Sequence, residues 1–356
     1  SRSGCLQCQA SAMPREARVA LPLLAILAGA AGQGSRGSAS PLVGIFSLPA
    51  PHLPGSPDPC GGQGACEVLP ASYVRFVEAA GGRVVPVSFN ADRAEVELLA
   101  RSLNGFLFTG GPDLPLPPAA RRVLEISRAL HEAGEVLPVW GTCLGFEWLV
   151  SFAEESALQT GIRALNVSLP LQLTPAAGTS QLLGAAPPFI LDALANHNTT
   201  FNMHHRGVVP SRWDRSESLK RTFRVLSTSS DRAGTSFVST VEGRGKLPWY
   251  GVQWHPEKNA FEHGLRADGT PFEAISHGLE GVAVEQYMAN FFVSQARRST
   301  HRFADPKQEA ARLRLICGRA TSGVFSPAFE EVYFLHYPGA PASSSTRASN
   351  AATVLV

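Results

Sequence analysis

Between Pro41 and Trp140, short apolar runs alternate with stretches of helical periodicity, and this alternation restricts the fold more than any other property of the chain. Pro41 to Leu48 (PLVGIFSL) reads as a first buried strand, and a Pro/Gly-rich loop from Pro49 to Pro70 follows. Ala71 to Ala80 carries apolar residues at helical spacing and stops at Gly81-Gly82; Arg83 to Ser88 then reads as a second strand. The pattern repeats: a helix over Asp92 to Ser102, a strand over Gly105 to Thr109, a helix over Pro118 to Glu132 and a strand over Val136 to Trp140. Strands alternating with helices over this length predict an α/β fold whose mainly parallel sheet is covered on both faces.

After Leu158 the texture changes to shorter β-rich segments, Phe223 to Ser229, Ser236 to Glu242 and Trp249 to Trp254, and a helix returns at Val282 to Ala296. One domain over residues 41–298 accommodates all of this. Residues 299–337 read as a peripheral extension with a strand candidate at Val332 to Tyr337, and the Ala/Ser-rich residues 338–356 read as a disordered tail. With 356 residues, 44% of them hydrophobic and only 17% charged, the chain buries a substantial core, which excludes disorder throughout. Its 31 basic and 29 acidic residues are spread along the chain and form no phosphate-tracking stripe, so nucleic acid is not an expected partner.

Residues 1–40 read as a leader. Taking Met13 as the start, Met13 to Arg18 is a positively charged opening, Val19 to Ala31 is a short apolar run and small residues follow, which is the layout of a secretory signal peptide. The run is too short for a stable membrane anchor. Secretion, or delivery to a lysosome or vacuole, is the expected route. Cys60 and Cys66 flank a Gly-rich turn and can close a small loop in an oxidising compartment. The triplets beginning at Asn166 and Asn198 are glycosylation sequons that fit the same route.

The sharpest local feature is Val139 to Glu147 (VWGTCLGFE), an apolar strand running into a Gly-x-Cys-x-Gly turn that opens a helix. Small neighbours let a strained nucleophile turn pass close to the sheet, and a helix N-terminus favours thiolate over thiol at Cys143. The backbone N–H of Leu144 then points to where an oxyanion would form. Thr109-Gly110-Gly111-Pro112, at the end of another strand, offers a second donor from Gly110 or Gly111. A cysteine nucleophile needs a base. His255 follows an apolar strand in Tyr250 to Lys258 (YGVQWHPEK), with Pro256 fixing the backbone and Glu257 close enough to orient the imidazole.

Together, Ala71 to Val74, Arg83 to Val87, Phe108 to Gly111, Val139 to Glu147 and Tyr250 to Lys258 resemble the γ-glutamyl hydrolases, the folate polyglutamate-cleaving family (peptidase family C26) of the class I glutamine amidotransferase-like superfamily. Weaker similarity extends this resemblance over about residues 41 to 337. It implies a flavodoxin-like three-layer α/β/α sandwich with a mainly parallel central sheet. It implies Cys143 as nucleophile, His255 as base and Glu257 as third member, acting on folylpolyglutamates as small-molecule substrates with no metal and no cofactor. It also implies a substrate-side role for Glu147 and for a histidine in the Asn202 to His205 segment, taken as His204; Arg206 and Arg212 nearby are candidates for holding a substrate carboxylate. The chain departs from the family pattern in two places: the adjacent His204 and His205 replace a His-Lys-Trp pattern, with Gly207 where a larger residue is usual, and Trp148 follows Glu147 where an acidic residue is common. The competing readings are a glutaminase-type amidotransferase and a catalytically silent lumenal binding protein. A homodimer is left open.

Overall fold

The computed structural model describes residues 37–50, 60, 66–314, 316, 320–322 and 328–337, so the leader, most of the 51–65 loop and the C-terminal tail lie outside the described residues. Alternate side chains of each central strand go to opposite faces, as the pleat requires. Leu42, Phe46, Val85, Val87, Phe106, Phe108 and Val139 enter one apolar layer. Val43, Ile45, Val84, Leu107 and Trp140 enter a second layer on the other face.

Among the described residues the central sheet has eight strands, ordered Arg83–Val87, Leu42–Phe46, Gly105–Phe108, Val139–Thr142, Trp249–Val252, Ser236–Gly243, Phe223–Ser230 and Gln172–Leu173. The first five are mutually parallel. The last three continue antiparallel. Helices Arg93–Ser102, Pro118–Glu132 and Leu144–Glu154 cover one face through Val96, Leu99, Val123, Leu124 and Leu149. Helices Ala71–Ala79, Pro188–Asn196 and Leu279–Ala296 cover the other through Phe76, Val77, Ile190, Leu194, Val284 and Phe292. This is the expected α/β/α sandwich with a mainly parallel centre.

Local chemistry sets several boundaries. Asp92 caps its helix by accepting from the Glu95 amide at 2.8 Å, an interaction worth about 1 kcal/mol. The strand expected from Val136 begins instead at Val139, because Pro138 has no N–H for the ladder, and it continues to Thr142, immediately before the cysteine. The stretch expected as loop before Ala71 ends in a strand, Glu67–Pro70, which pairs antiparallel with Glu331–Leu335 and with Leu48–Pro49 in a small four-stranded sheet. The C-terminal extension is thereby joined to the strand that leads into the Ala71–Ala79 helix, and the Arg75–Glu331 ion pair reinforces the junction. Gln159–Leu169 and Thr200–Gly207 pair antiparallel as a separate two-stranded sheet, and its second strand carries His204, His205 and Arg206.

Candidate active site

Three neighbouring parallel strands end at one edge of the sheet, and each delivers part of the site. Register pairs Phe108 with Gly141 and Thr142 with Val252, so the loops that begin at Thr109, Cys143 and Gln253 emerge side by side. Loops at the carboxyl edge of a parallel sheet are where such folds gather reactive groups.

Cys143 occupies the turn itself, with φ 51° and ψ −104°, a left-handed conformation that costs a non-glycine residue about 1–3 kcal/mol. Hydrogen bonds on each side hold the strain in place. The Cys143 N–H donates to the Val252 carbonyl at 2.8 Å, Gly145 donates to Thr109 at 3.0 Å, and Glu147 donates back to the Cys143 carbonyl at 3.0 Å. The flanking glycines are required by contact distance. A Cβ on Gly141 would stand 2.5 Å from the Gly145 carbonyl oxygen, and one on Gly145 would stand 2.3 Å from that of Phe108.

His255 is brought to the same place. A Cβ placed on Gly110 would lie 2.5 Å from His255 Cε1 and 3.2 Å from Cys143 Cβ, so imidazole and thiol border one small space roofed by a glycine. His255 Nδ1 is 2.7 Å from Glu257 Oε1, both residues being buried, while Nε2 is buried and has no hydrogen-bond partner among the described residues. An Nδ1–H held by a carboxylate leaves Nε2 as the acceptor, the tautomer a general base needs.

The surroundings of the sulfur weigh against the thiolate. Burial pushes the Cys143 thiol well up, and the carboxylates of Glu147 and Glu257 add to this; the Leu144 N–H and the Lys258 ammonium act in the opposite direction and do not outweigh them. Helix-terminus stabilisation of an anion is modest beside the desolvation of a fully enclosed sulfur.

Of the three expected oxyanion donors, Leu144 directs its N–H at the Cys143 sulfur. Gly110 is engaged elsewhere, since its N–H donates to the Tyr73 hydroxyl at 2.7 Å. Gly111 packs against Leu48 and Leu144. Tyr73 is the participant that the residue pattern concealed. Its hydroxyl is also 3.5 Å from His255 Nδ1, yet a tyrosine in the first turn of an apolar helix reads as ordinary core. Lys258 was likewise inconspicuous. Its ammonium is fully buried and bound by both oxygens of Glu273, at 2.8 and 2.7 Å.

Glu147 lies one helical turn beyond Cys143, accepts from Gln253 Nε2 at 3.3 Å and is pushed up to about 7, chiefly by burial. His204 is buried, with Nδ1 2.8 Å from the Arg206 carbonyl and Nε2 3.1 Å from Asn202 Oδ1, and burial lowers its pKa to about 3. His205 is half-exposed and faces Asp113 at 3.0 Å. Arg206 reaches Glu147 at 3.5 Å and Asp113 at 3.7 Å. Arg212 lies elsewhere, donating to the backbone carbonyls of Ser156 and Leu158. Trp148 points away from the site into the core, where its ring meets Phe46, Phe89 and Phe108 and its Nε1 donates to the Leu114 carbonyl at 3.0 Å. Among the described residues no cluster of three or more His, Cys, Asp or Glu could hold a metal ion, and no helix is long and apolar enough to cross a membrane.

The family model described as Peptidase C26 matches residues 58–257, a span containing the elbow, both neighbouring strand ends and Glu257, and the chain belongs to that family. Its relatives include the γ-glutamyl hydrolase of Mus musculus, 39% identical over 249 residues, which are 69% of this chain and 76% of that protein. The γ-glutamyl hydrolase of Homo sapiens is 37% identical over the same shares. γ-Glutamyl hydrolase B of Dictyostelium discoideum is 34% identical over 272 residues, 75% of each chain.

Proposed function

We propose that the chain is a cysteine-type γ-glutamyl hydrolase that cleaves the γ-amide bonds of folylpolyglutamates, with Cys143 as nucleophile, His255 as base and Glu257 as the group that orients it. The observation that carries this reading is the unpartnered Nε2 of His255 beside a cysteine held at positive φ on a strand-to-helix turn. As the sulfur attacks the γ-carbonyl carbon, its proton passes to His255 Nε2, in keeping with surroundings that push the thiol pKa up. In this reading the N–H groups of Leu144 and of Gly111 or Gly110 receive the oxyanion, Gly110 only once Tyr73 gives up its hydrogen bond. Collapse expels the amine, which takes the proton from His255 and leaves a thioester on Cys143. Water, deprotonated by the same nitrogen, then attacks the thioester, releasing the γ-carboxylate and returning the proton to sulfur. Glu147, His204 and Arg206 belong to the substrate side of this proposal.

The secretory route is part of the same reading. It is supported by the disulfide that joins Cys60 and Cys66, a bond that persists in oxidising compartments. Self-association as a homodimer is proposed as well; sedimentation equilibrium measures it.

The test of the reaction is incubation of purified protein with folate pentaglutamate and mass analysis of the products for the wild type and Cys143→Ala. Shortened chains from the wild type alone are expected. Intact substrate with the wild type, or equal cleavage by the variant, would overturn the assignment.

A further inference from the structure

Arg206 stands in an unusual position for a guanidinium beside a buried nucleophile. Its two ion pairs, to Glu147 at 3.5 Å and to Asp113 at 3.7 Å, are longer than closed charge-assisted hydrogen bonds, and it donates none to a described residue. Its backbone is fixed, because the Arg206 carbonyl is in hydrogen-bond contact with His204 Nδ1 on the same strand. The side chain is 22% exposed, so it borders solvent while reaching the residue one turn beyond Cys143.

Asp113 occupies the outer side of this arrangement. It lies on the loop that begins with Gly110, its side chain is 43% exposed, and its two oxygens face His205 Nε2 at 3.0 Å and Arg206 at 3.7 Å. Its carboxylate makes no hydrogen bond to any other described residue, so little holds it there except those two groups. Glu147, the other anion near Arg206, is protonated below about pH 7 and then withdraws its claim on the guanidinium.

The geometry points to a carboxylate seat, built by Arg206 and His205, that Asp113 fills in the free chain and that an α-carboxylate of the γ-glutamyl substrate takes over; this rests on the hydrolase reading above. The substrate chemistry matches. A γ-linked chain spends the γ-carboxyl of each glutamyl unit on the amide and leaves one α-carboxylate per unit unspent. A guanidinium with several unused N–H donors binds such a group through two parallel hydrogen bonds, which the long Asp113 contact does not achieve. Asp113 is then an internal competitor: it keeps the cation solvated and oriented, and it sets how strongly a substrate carboxylate must bind to displace it.

The experiment is calorimetric titration of the Cys143→Ala protein with γ-glutamyl-γ-glutamyl-glutamate and with the analogue whose α-carboxylates are carboxamides. Adding Asp113→Asn is expected to tighten the carboxylate ligand about tenfold, with the carboxamide unaffected, and adding Arg206→Gln to weaken the carboxylate ligand about tenfold and abolish the discrimination. Arg206→Lys, which keeps the charge and loses the fork, restores part of the discrimination and separates recognition from misfolding. The same pattern is expected in KM for the cysteine-containing enzyme. Weaker binding after Asp113→Asn would make Asp113 a pin for its loop and overturn the proposal, as would unchanged discrimination in Arg206→Gln. The expected binding pattern in a chain that hydrolyses no γ-glutamyl amide would sink the hydrolase reading and leave the seat; cleavage indifferent to the carboxamide would sink the seat alone.

Discussion

The backbone N–H of Gly110 donates to the hydroxyl of Tyr73 at 2.7 Å, and the same hydroxyl stands 3.5 Å from His255 Nδ1. One side chain thus occupies a donor beside Cys143 and touches His255. In Tyr73→Phe the Gly110 N–H loses a buried acceptor, which is expected to lower stability by about 1–3 kcal/mol in urea unfolding. Turnover is expected to fall by no more than about tenfold, since Leu144 and Gly111 remain, whereas losing a true oxyanion donor costs about a hundredfold or more. A hundredfold fall in kcat would place the tyrosine hydroxyl in the transition state itself.

Glu257 is argued to act through His255. Glu257→Gln keeps the shape and removes the charge that favours Nδ1–H, so kcat is expected to drop on the order of a thousandfold. The pH profile of the residual activity should change with it. A variant within threefold of wild type would show that the imidazole is oriented by other groups.

Behind Cys143, His255 and Glu257, two further carboxyls are buried. Glu262 is raised to about 7 and Glu285 to about 8, in both cases chiefly by burial; the Glu330 and Ala260 N–H groups pull them down, and the Glu257 carboxylate adds to the rise of each. Glu285 accepts from the Ala260 amide through one oxygen at 2.5 Å and leaves the other without a partner among the described residues, and Lys258 is ion-paired with Glu273. The folded chain therefore keeps protons that the unfolded chain releases near 4.5. Stability from these groups is complete below that pH and drains away as pH rises toward about 8. The melting temperature is expected to fall between pH 5 and pH 8, and Glu285→Gln should flatten that slope. A melting temperature that climbs over this range would contradict the assignment.

Trp148 fills the layer beneath the elbow, against Phe46 and Phe108. Trp148→Ala is expected to destabilise the fold by about 3–5 kcal/mol. Chemical denaturation reads this directly, and a loss under 1 kcal/mol would mean that the core closes over the vacancy.

The two sequons are not equivalent. Asn198 is exposed, whereas both amide atoms of Asn166 are used: Oδ1 accepts from Ala274 at 2.6 Å and Nδ2 faces the Phe272 carbonyl at 3.4 Å. Chain secreted from a glycosylating host is expected to lose its glycan in Asn198→Gln and to keep it in Asn166→Gln. Glycan found on Asn166 in folded protein would refute this.

Much of the scaffold was legible because period-2 and period-3.6 patterns are local. The helices at Ala71, Asp92 and Pro118 lie within a residue or two of their expected limits, and the Gly-x-Cys-x-Gly run announced its turn through two glycines that no larger residue could replace. His255 and Glu257 were readable for a similar reason: they follow an apolar strand and stand two residues apart. Less was legible where chemistry depends on separated segments. Tyr73 and Gly110 are 37 residues apart, and Lys258 and Glu273 are 15 apart across an irregular loop. Such pairs leave no periodic trace.

The order of residues alone determined the alternation of strand and helix, the tight turn at Cys143 and the kinds of group available for chemistry, because each follows from backbone sterics and side-chain periodicity within one segment. Only the tertiary structure decided which groups meet and what state they hold. Enclosing the sulfur favours the thiol over the thiolate, the hydroxyl of Tyr73 claims an amide that looked free, and the Thr200–Gly207 strand sets Arg206 between Glu147 and Asp113. Desolvation and proximity are properties of three-dimensional packing, and neither is encoded in any single stretch of chain.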